Sequence, residues 1–174
     1  MNKLFVMLSL ICLGGYASTS VAEGTFGNRY VGASIGFLKV EPKVIGNADL
    51  TNAEVRAGGF LNNYMAAEVR GSLGLVGDEV GGVDVDLLYS FGAYMRIGTP
   101  FLDKFFPYVL LGVTRADIDL SNNADDEITE TDTSIGVGID YNFDSMALSA
   151  EYAQYIDKSG SLLTGVTLGI STSF

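Results

Sequence analysis

Six charged residues sit at alternating positions of strand-like segments: Arg56, Glu68, Arg70, Arg96, Asp140 and Glu151. They are three guanidiniums and three carboxylates. On one inward face they could seal a packed interior with ion pairs, or form a switchable gate along a narrow ion path. A buried, unpaired charge costs several kcal/mol, so the expectation is that they pair. A second candidate is Asp125, Asp126 and Glu127, within DIDLSNNADDEITETD (117–132). They lack the ligand spacing of an EF-hand loop and offer at most weak Ca²⁺ or Mg²⁺ binding. No firm metal site and no cofactor are read from the sequence. The chain contains no histidine, and no pairing of a nucleophile with a base is visible. A non-enzymatic protein is therefore expected.

The elements that would position these charges follow a leader. MNKLFVMLSLICLGGYASTSVA (1–22) has an early cation, Lys3, an apolar run from Leu4 to about Tyr16, and small residues at Ser20-Val21-Ala22. That is the pattern of a secretory signal peptide, and its apolar run is too short to span a bilayer as a helix. The single cysteine, Cys12, leaves with it, so no disulfide or thiolate site is expected in the mature domain, residues 23–174. Loss of Lys3 leaves nine basic residues against 21 acidic ones, a formal charge of −12. Such a balance argues against nucleic-acid binding, which needs cations to meet phosphates. Only 18% of residues are charged, below the ~25% usual for soluble domains.

Period-2 alternation recurs along the mature chain. NRYVGASIGF (28–37), VDVDLLYSFGAYMRIG (83–98), TETDTSIGVGIDYNF (129–143) and GVTLGISTSF (165–174) each put apolar residues on one parity. Their other parity is mostly small or polar. Eight strands are expected, at about 28–40, 50–60, 64–74, 83–98, 107–119, 129–143, 146–156 and 162–174. In the fifth, Val109, Leu111 and Val113 share a face while Ala116, Ile118 and Leu120 take the other. A bulge near Thr114–Arg115 would reconcile the two sets. Tight turns (61–63 and Asp144–Ser145) alternate with longer polar loops (41–49, 75–82 and 120–128). That alternation is typical of a transmembrane barrel, whose short turns and both termini are expected to face the periplasm and whose long loops face outside. The connection 99–107, TPFLDKFFP, is long and apolar for its side.

Lys occurs only five times, and the polar parity is largely Gly, Ser, Thr and Ala. A small-residue face suits a narrow interior, so the apolar parity should meet lipid. Ten aromatics cluster at the short-turn ends: Tyr30, Phe60, Tyr64, Phe101, Phe105, Phe106, Tyr108, Tyr141, Phe143 and Phe174. They read as an interfacial girdle. In lipid every backbone polar group must be paired, so the last strand must close on the first.

Phe174 with Val166, Leu168 and Ile170, YVGASIGF (30–37), GGFLNNYMAAEV (58–69) and SAEY (149–152) carry a resemblance. The chain resembles the small eight-stranded outer-membrane β-barrels of the OmpA transmembrane-domain, OmpX and opacity-protein type. The resemblance implies an all-β, eight-stranded antiparallel up-and-down transmembrane barrel in the outer membrane of a Gram-negative cell. It implies that Val166, Leu168, Ile170 and Phe174 form a C-terminal assembly signal for the outer-membrane assembly machinery, although Thr172 stands where many relatives have another aromatic. It also implies that Glu68 and Glu151 belong to a salt-bridge plug. No periplasmic peptidoglycan-binding domain is expected after the barrel. Enzymes on such barrels, the lipid A deacylases and outer-membrane proteases, rely on a histidine that is absent here. The expected partners are outer-membrane lipid, lipopolysaccharide and an extracellular partner met by the loops. The expected role is adhesion, host contact or envelope integrity; the alternative is a narrow gated pore through the Arg/Glu cluster.

Overall fold

The computed structural model describes residues 29–42, 47–80, 83–121, 125–158 and 161–174. The leader 1–22 lies outside the described residues. The chain forms strands β1 (Arg29–Pro42), β2 (Ala48–Asn62), β3 (Met65–Val76), β4 (Asp78–Val80) and β5 (Val83–Gly98). Then follow β6 (Phe105–Ser121), β7 (Asp125–Phe143), β8 (Met146–Lys158) and β9 (Ser161–Ser173). Eight are long. The ninth, β4, is a three-residue segment paired with the start of β5.

Each long strand pairs antiparallel with its neighbour, β3 pairs with β5, and β1 pairs with β9 from Tyr30↔Ser173 to Pro42↔Ser161. The eight long strands thus form a closed up-and-down barrel. Even the last residue is tied in, since the Phe174 amide donates to the Arg29 carbonyl at 3.0 Å.

Parity then divides the side chains. Val31, Ile35 and Phe37, Val109, Leu111 and Val113, Ile135, Val137 and Ile139, and Val166, Leu168 and Ile170 are 41–57% exposed on the outside. So large a continuous apolar surface is stable only against lipid. Lys39, Asp49, Asp86 and Arg115 lie just beyond this belt on the long-loop side, all exposed.

Strand lengths depart from the sequence reading at the outer end. Strands β6 and β7 stay paired as far as Ser121↔Asp125 in unbroken register. Asp125, Asp126 and Glu127 therefore belong to β7 and not to a loop, and their side chains lie outside the described residues. Because β6 is regular against β7, there is no bulge at Thr114–Arg115. The bulge is on β5, where the pairing with β6 shifts between Leu87 and Tyr89. Ala116 and Ile118 keep the inward parity of Leu110 and Thr114 because the interior itself becomes apolar at that height.

The aromatic girdle also divides. Tyr30, Phe106 and Tyr108 are buried and Phe60 packs against the core. Their parity turns them inward, where Tyr30–Phe60, Phe60–Phe106 and Phe106–Tyr108 form a chain of ring contacts 5.4–6.1 Å apart. Tyr64, Phe101, Tyr141 and Phe174 remain exposed outside.

Candidate functional site

The interior has three tiers. The lowest, toward the short turns, holds the charges. Arg70 on β3 reaches across the barrel to Glu151 on β8, with Nη1–Oε1 at 2.6 Å and Nη2–Oε2 at 2.8 Å. Its Nε donates to Glu68 Oε1 at 2.5 Å, and Glu54 Oε1 lies 3.7 Å from Nη1. Arg96 pairs with Asp140 and lies 3.6 Å from Glu68 Oε2. Arg56 donates to Ser149 Oγ at 2.8 Å. All six charged residues that the sequence singled out are thus inside, and all are buried.

A seventh joins them. Glu54 is 7% exposed and accepts from Ser34 Oγ at 2.9 Å. It lies two residues before Arg56 on the same strand and therefore shares its face. That spacing was the signal available in the sequence. The described interior holds four carboxylates against three guanidiniums.

Aromatic groups complete the cage. The Tyr30 hydroxyl donates to Glu68 Oε2 at 2.6 Å and accepts from Arg96 Nη1 at 3.2 Å. The Tyr108 hydroxyl donates to Glu151 Oε2 at 2.9 Å. The Arg96 guanidinium lies 3.8 Å from the Tyr108 ring centroid, and that of Arg70 lies 4.7 Å from Tyr94. Stacking over a ring face favours the cation without adding another charge. Glycines make the room, Gly58 and Gly169 among them. A Cβ at Gly58 would sit 2.6 Å from the Tyr30 hydroxyl, and one at Gly169 would sit 2.8 Å from Ser149 Oγ.

The second tier is a belt of hydroxyls. Ser72 bonds Ser90 at 2.7 Å, and Thr114 Oγ1 bridges the Tyr94 hydroxyl and Ser134 Oγ at 2.6 Å each. Ser134 donates on to the Tyr155 carbonyl at 3.0 Å. That carbonyl sits in an irregularity of β8, where pairing with β9 shifts between Gln154 and Ile156. The irregularity lets Tyr155 and Ile156 both point inward.

The third tier, toward the long loops, is apolar. Leu38, Val40, Leu50, Val85, Leu87, Ile156 and Leu163 are at most 6% exposed and pack together. Between it and the tiers below is a cavity of about 10 Å³ lined by Glu54, Arg70, Leu87 and Tyr155. Such a cavity has room for one water molecule.

Chemically this arrangement seals. Removing charges from water costs several kcal/mol per ion, repaid only where geometry is good and remaining lone pairs are bonded. Arg70 and Glu151 meet that condition with two aligned bonds. Among the described residues, no group of three or more His, Cys, Asp or Glu side chains could hold a metal ion.

The outward row expected to serve assembly, Val166, Leu168, Ile170 and Phe174, lies on the lipid side of β9. It is exposed from 41% at Ile170 to 69% at Phe174.

The outer membrane protein beta-barrel domain family matches residues 8–174. The chain belongs to that family. Among solved structures, the Neisserial surface protein A (NspA) superposes with a TM-score of 0.68 at 19% identity, covering 84% of this chain and 97% of that one. Ail, the attachment invasion locus protein of Yersinia pestis, gives a TM-score of 0.67 at 16% identity, with 86% and 99% covered. Ail in complex with the heparin analogue sucrose octasulfate gives 0.62 at 16% identity, with 86% and 99% covered. No curated protein matches the chain. The protein is an outer-membrane β-barrel, and at these identities the solved structures establish its fold.

Proposed function

We propose that this barrel is a non-enzymatic surface protein of the outer membrane, acting in adhesion or host contact through its acidic outer rim. The observation that carries the reading is the filled lumen. A charged tier, a hydroxyl tier and an apolar tier occupy the interior in series, so the working surface is the outside. The same filling opposes the narrow-pore reading.

The rim suggests the chemistry of the partner. Asp86, Asp119 and Glu127 occupy one register row across β5, β6 and β7. Two residues further out, Asp84 and Asp125 take the register positions on either side of Ser121. Like charges directly opposite one another disfavour a sheet, and a cationic partner relieves that cost. Ail has been solved with a polyanion; the acidic rim here fits a polycation instead. In the same proposal, the outward row of β9 serves recognition by the assembly machinery. The rim meets lipopolysaccharide at its base, beside Lys39 and Arg115.

The test is adherence of cells carrying the wild-type protein or a variant with Asp84, Asp86, Asp119, Asp125 and Asp126 changed to Asn. Surface amounts are matched on unboiled gels. Loss of adherence to the level of cells without the protein is the expected result. Adherence equal to wild type overturns the role of the rim.

A further inference from the structure

The connection between β5 and β6 is unlike the other described short turns. Thr99 through Lys104 continue the β5–β6 hairpin past the end of β5, closed on Phe105 and Pro107 of β6. Phe101 and Phe105 pair as an antiparallel bridge, with N–O distances of 2.7 and 2.9 Å. The tip, Leu102 and Asp103, has φ of 51° and 58°. This is the left-handed region, where Gly and Asn are the economical choices.

The projection is held in place. Lys104 O accepts from the Asn142 amide at 2.7 Å and from Asn142 Nδ2 at 3.1 Å, and the Thr99 amide donates to Pro107 O at 3.2 Å. A strained, anchored turn presents Leu102 at 71% exposure and Phe101 at 57%. In water that apolar exposure is costly.

Direction identifies the occupant. Residues paired across a bridge place their side chains on one face, so Phe101 shares the face of Phe105. Phe105 packs against Tyr141 at 5.2 Å, and Tyr141 against Phe143 at 6.2 Å. Tyr141 is on the lipid side of β7, in line with Ile139 and Val137. Phe101 therefore extends an outward row of aromatics beyond the last barrel residue. On the other flank, the Gly98 amide donates to the carbonyl of exposed Tyr64 at 2.8 Å. The face is continuous with the lipid-covered belt.

We propose that the Phe101–Leu102 hairpin inserts into the periplasmic leaflet of the outer membrane and fixes the depth of the barrel. Phe101 and Leu102 sit among the acyl chains below the headgroups, and Asp103 and Lys104 remain at the polar boundary.

The test places a nitroxide spin label at Leu102→Cys in the mature protein, which has no other cysteine, folded into phospholipid vesicles. Accessibility is read with oxygen, which partitions into lipid, and with an aqueous nickel chelate. Glu79→Cys on the outer rim gives the water reference, and Val137→Cys the lipid reference. Label response nearer the lipid reference is expected. Response matching the rim overturns the proposal, and points to water or a periplasmic protein as what this face meets. Phe101→Trp provides an independent reading, since the chain contains no tryptophan. Its fluorescence should be quenched by lipids brominated near the headgroup. Emission unaffected by bromine in a folded barrel counts against insertion. Heat-shifted gel mobility of each variant establishes that it is folded.

Discussion

Arg70 and Glu151 stand on strands four positions apart around an eight-stranded ring, and their forked bonds of 2.6 and 2.8 Å span the lumen. The pair ties opposite walls together. Arg70 also serves Glu68 and lies near Glu54, so its loss takes a cation from three buried carboxylates, to which the Tyr30, Tyr108 and Ser34 hydroxyls still donate. Arg70→Ala should destabilise the folded barrel by about 3–5 kcal/mol, the range for breaking a buried pair. Urea unfolding in vesicles measures it. Arg70→Lys should recover only part of the loss, because a single ammonium cannot reproduce the fork.

Sealing makes a separate prediction. Wild type and Arg70→Ala should both be silent in planar bilayers, since the apolar tier of Leu38, Leu50, Leu87 and Leu163 still closes the outer half. Discrete conductance steps from folded wild-type protein would revive the pore.

The inside-out parity is tested on β7. Val137 is 57% exposed on the lipid face. Val137→Arg should cost about 2–4 kcal/mol in vesicles, as expected for a cation near the bilayer midplane. A cost near zero would place this face in water.

Gly58→Ala probes the floor of the plug. The added methyl would meet the Tyr30 ring and hydroxyl at 2.6 Å. Tyr30 must then leave either Glu68 or its packing, and overpacking of this kind costs roughly 1–3 kcal/mol. The transition from cold to boiled mobility on gels should move to lower temperature. An unchanged transition would mean that Tyr30 does not support the plug.

Much of this could be read from alternation alone. Period two places Arg56, Arg70 and Glu151 on one side and Val137 and Leu168 on the other, because successive strand side chains point to opposite faces. The limits of that reading appear at particular residues. Tyr30, Phe106 and Tyr108 lie toward the same short-turn end as Tyr141 and Phe105, and position along the chain does not distinguish a girdle from a lumen floor. Only parity within the closed ring does. Glu54 carried its parity signal in the sequence, but its proximity to Arg70 depends on the β2–β3 register, Arg56↔Arg70.

By itself the sequence determined that this chain alternates, that one face is lipid-soluble and the other small or charged, and that histidine chemistry is absent. Those properties are local, set by composition and by the two-residue repeat of a strand. Tertiary structure decided which charges meet, that the outer half of the interior is apolar, and that β6 and β7 run on as a paired ribbon where a loop was expected. It also decided that Phe101 shares the outward face of Phe105 and Tyr141. Each of these depends on inter-strand register or on an irregularity in it. A shift of one residue reverses a side chain from inside to outside, and only the closed set of pairings fixes that shift.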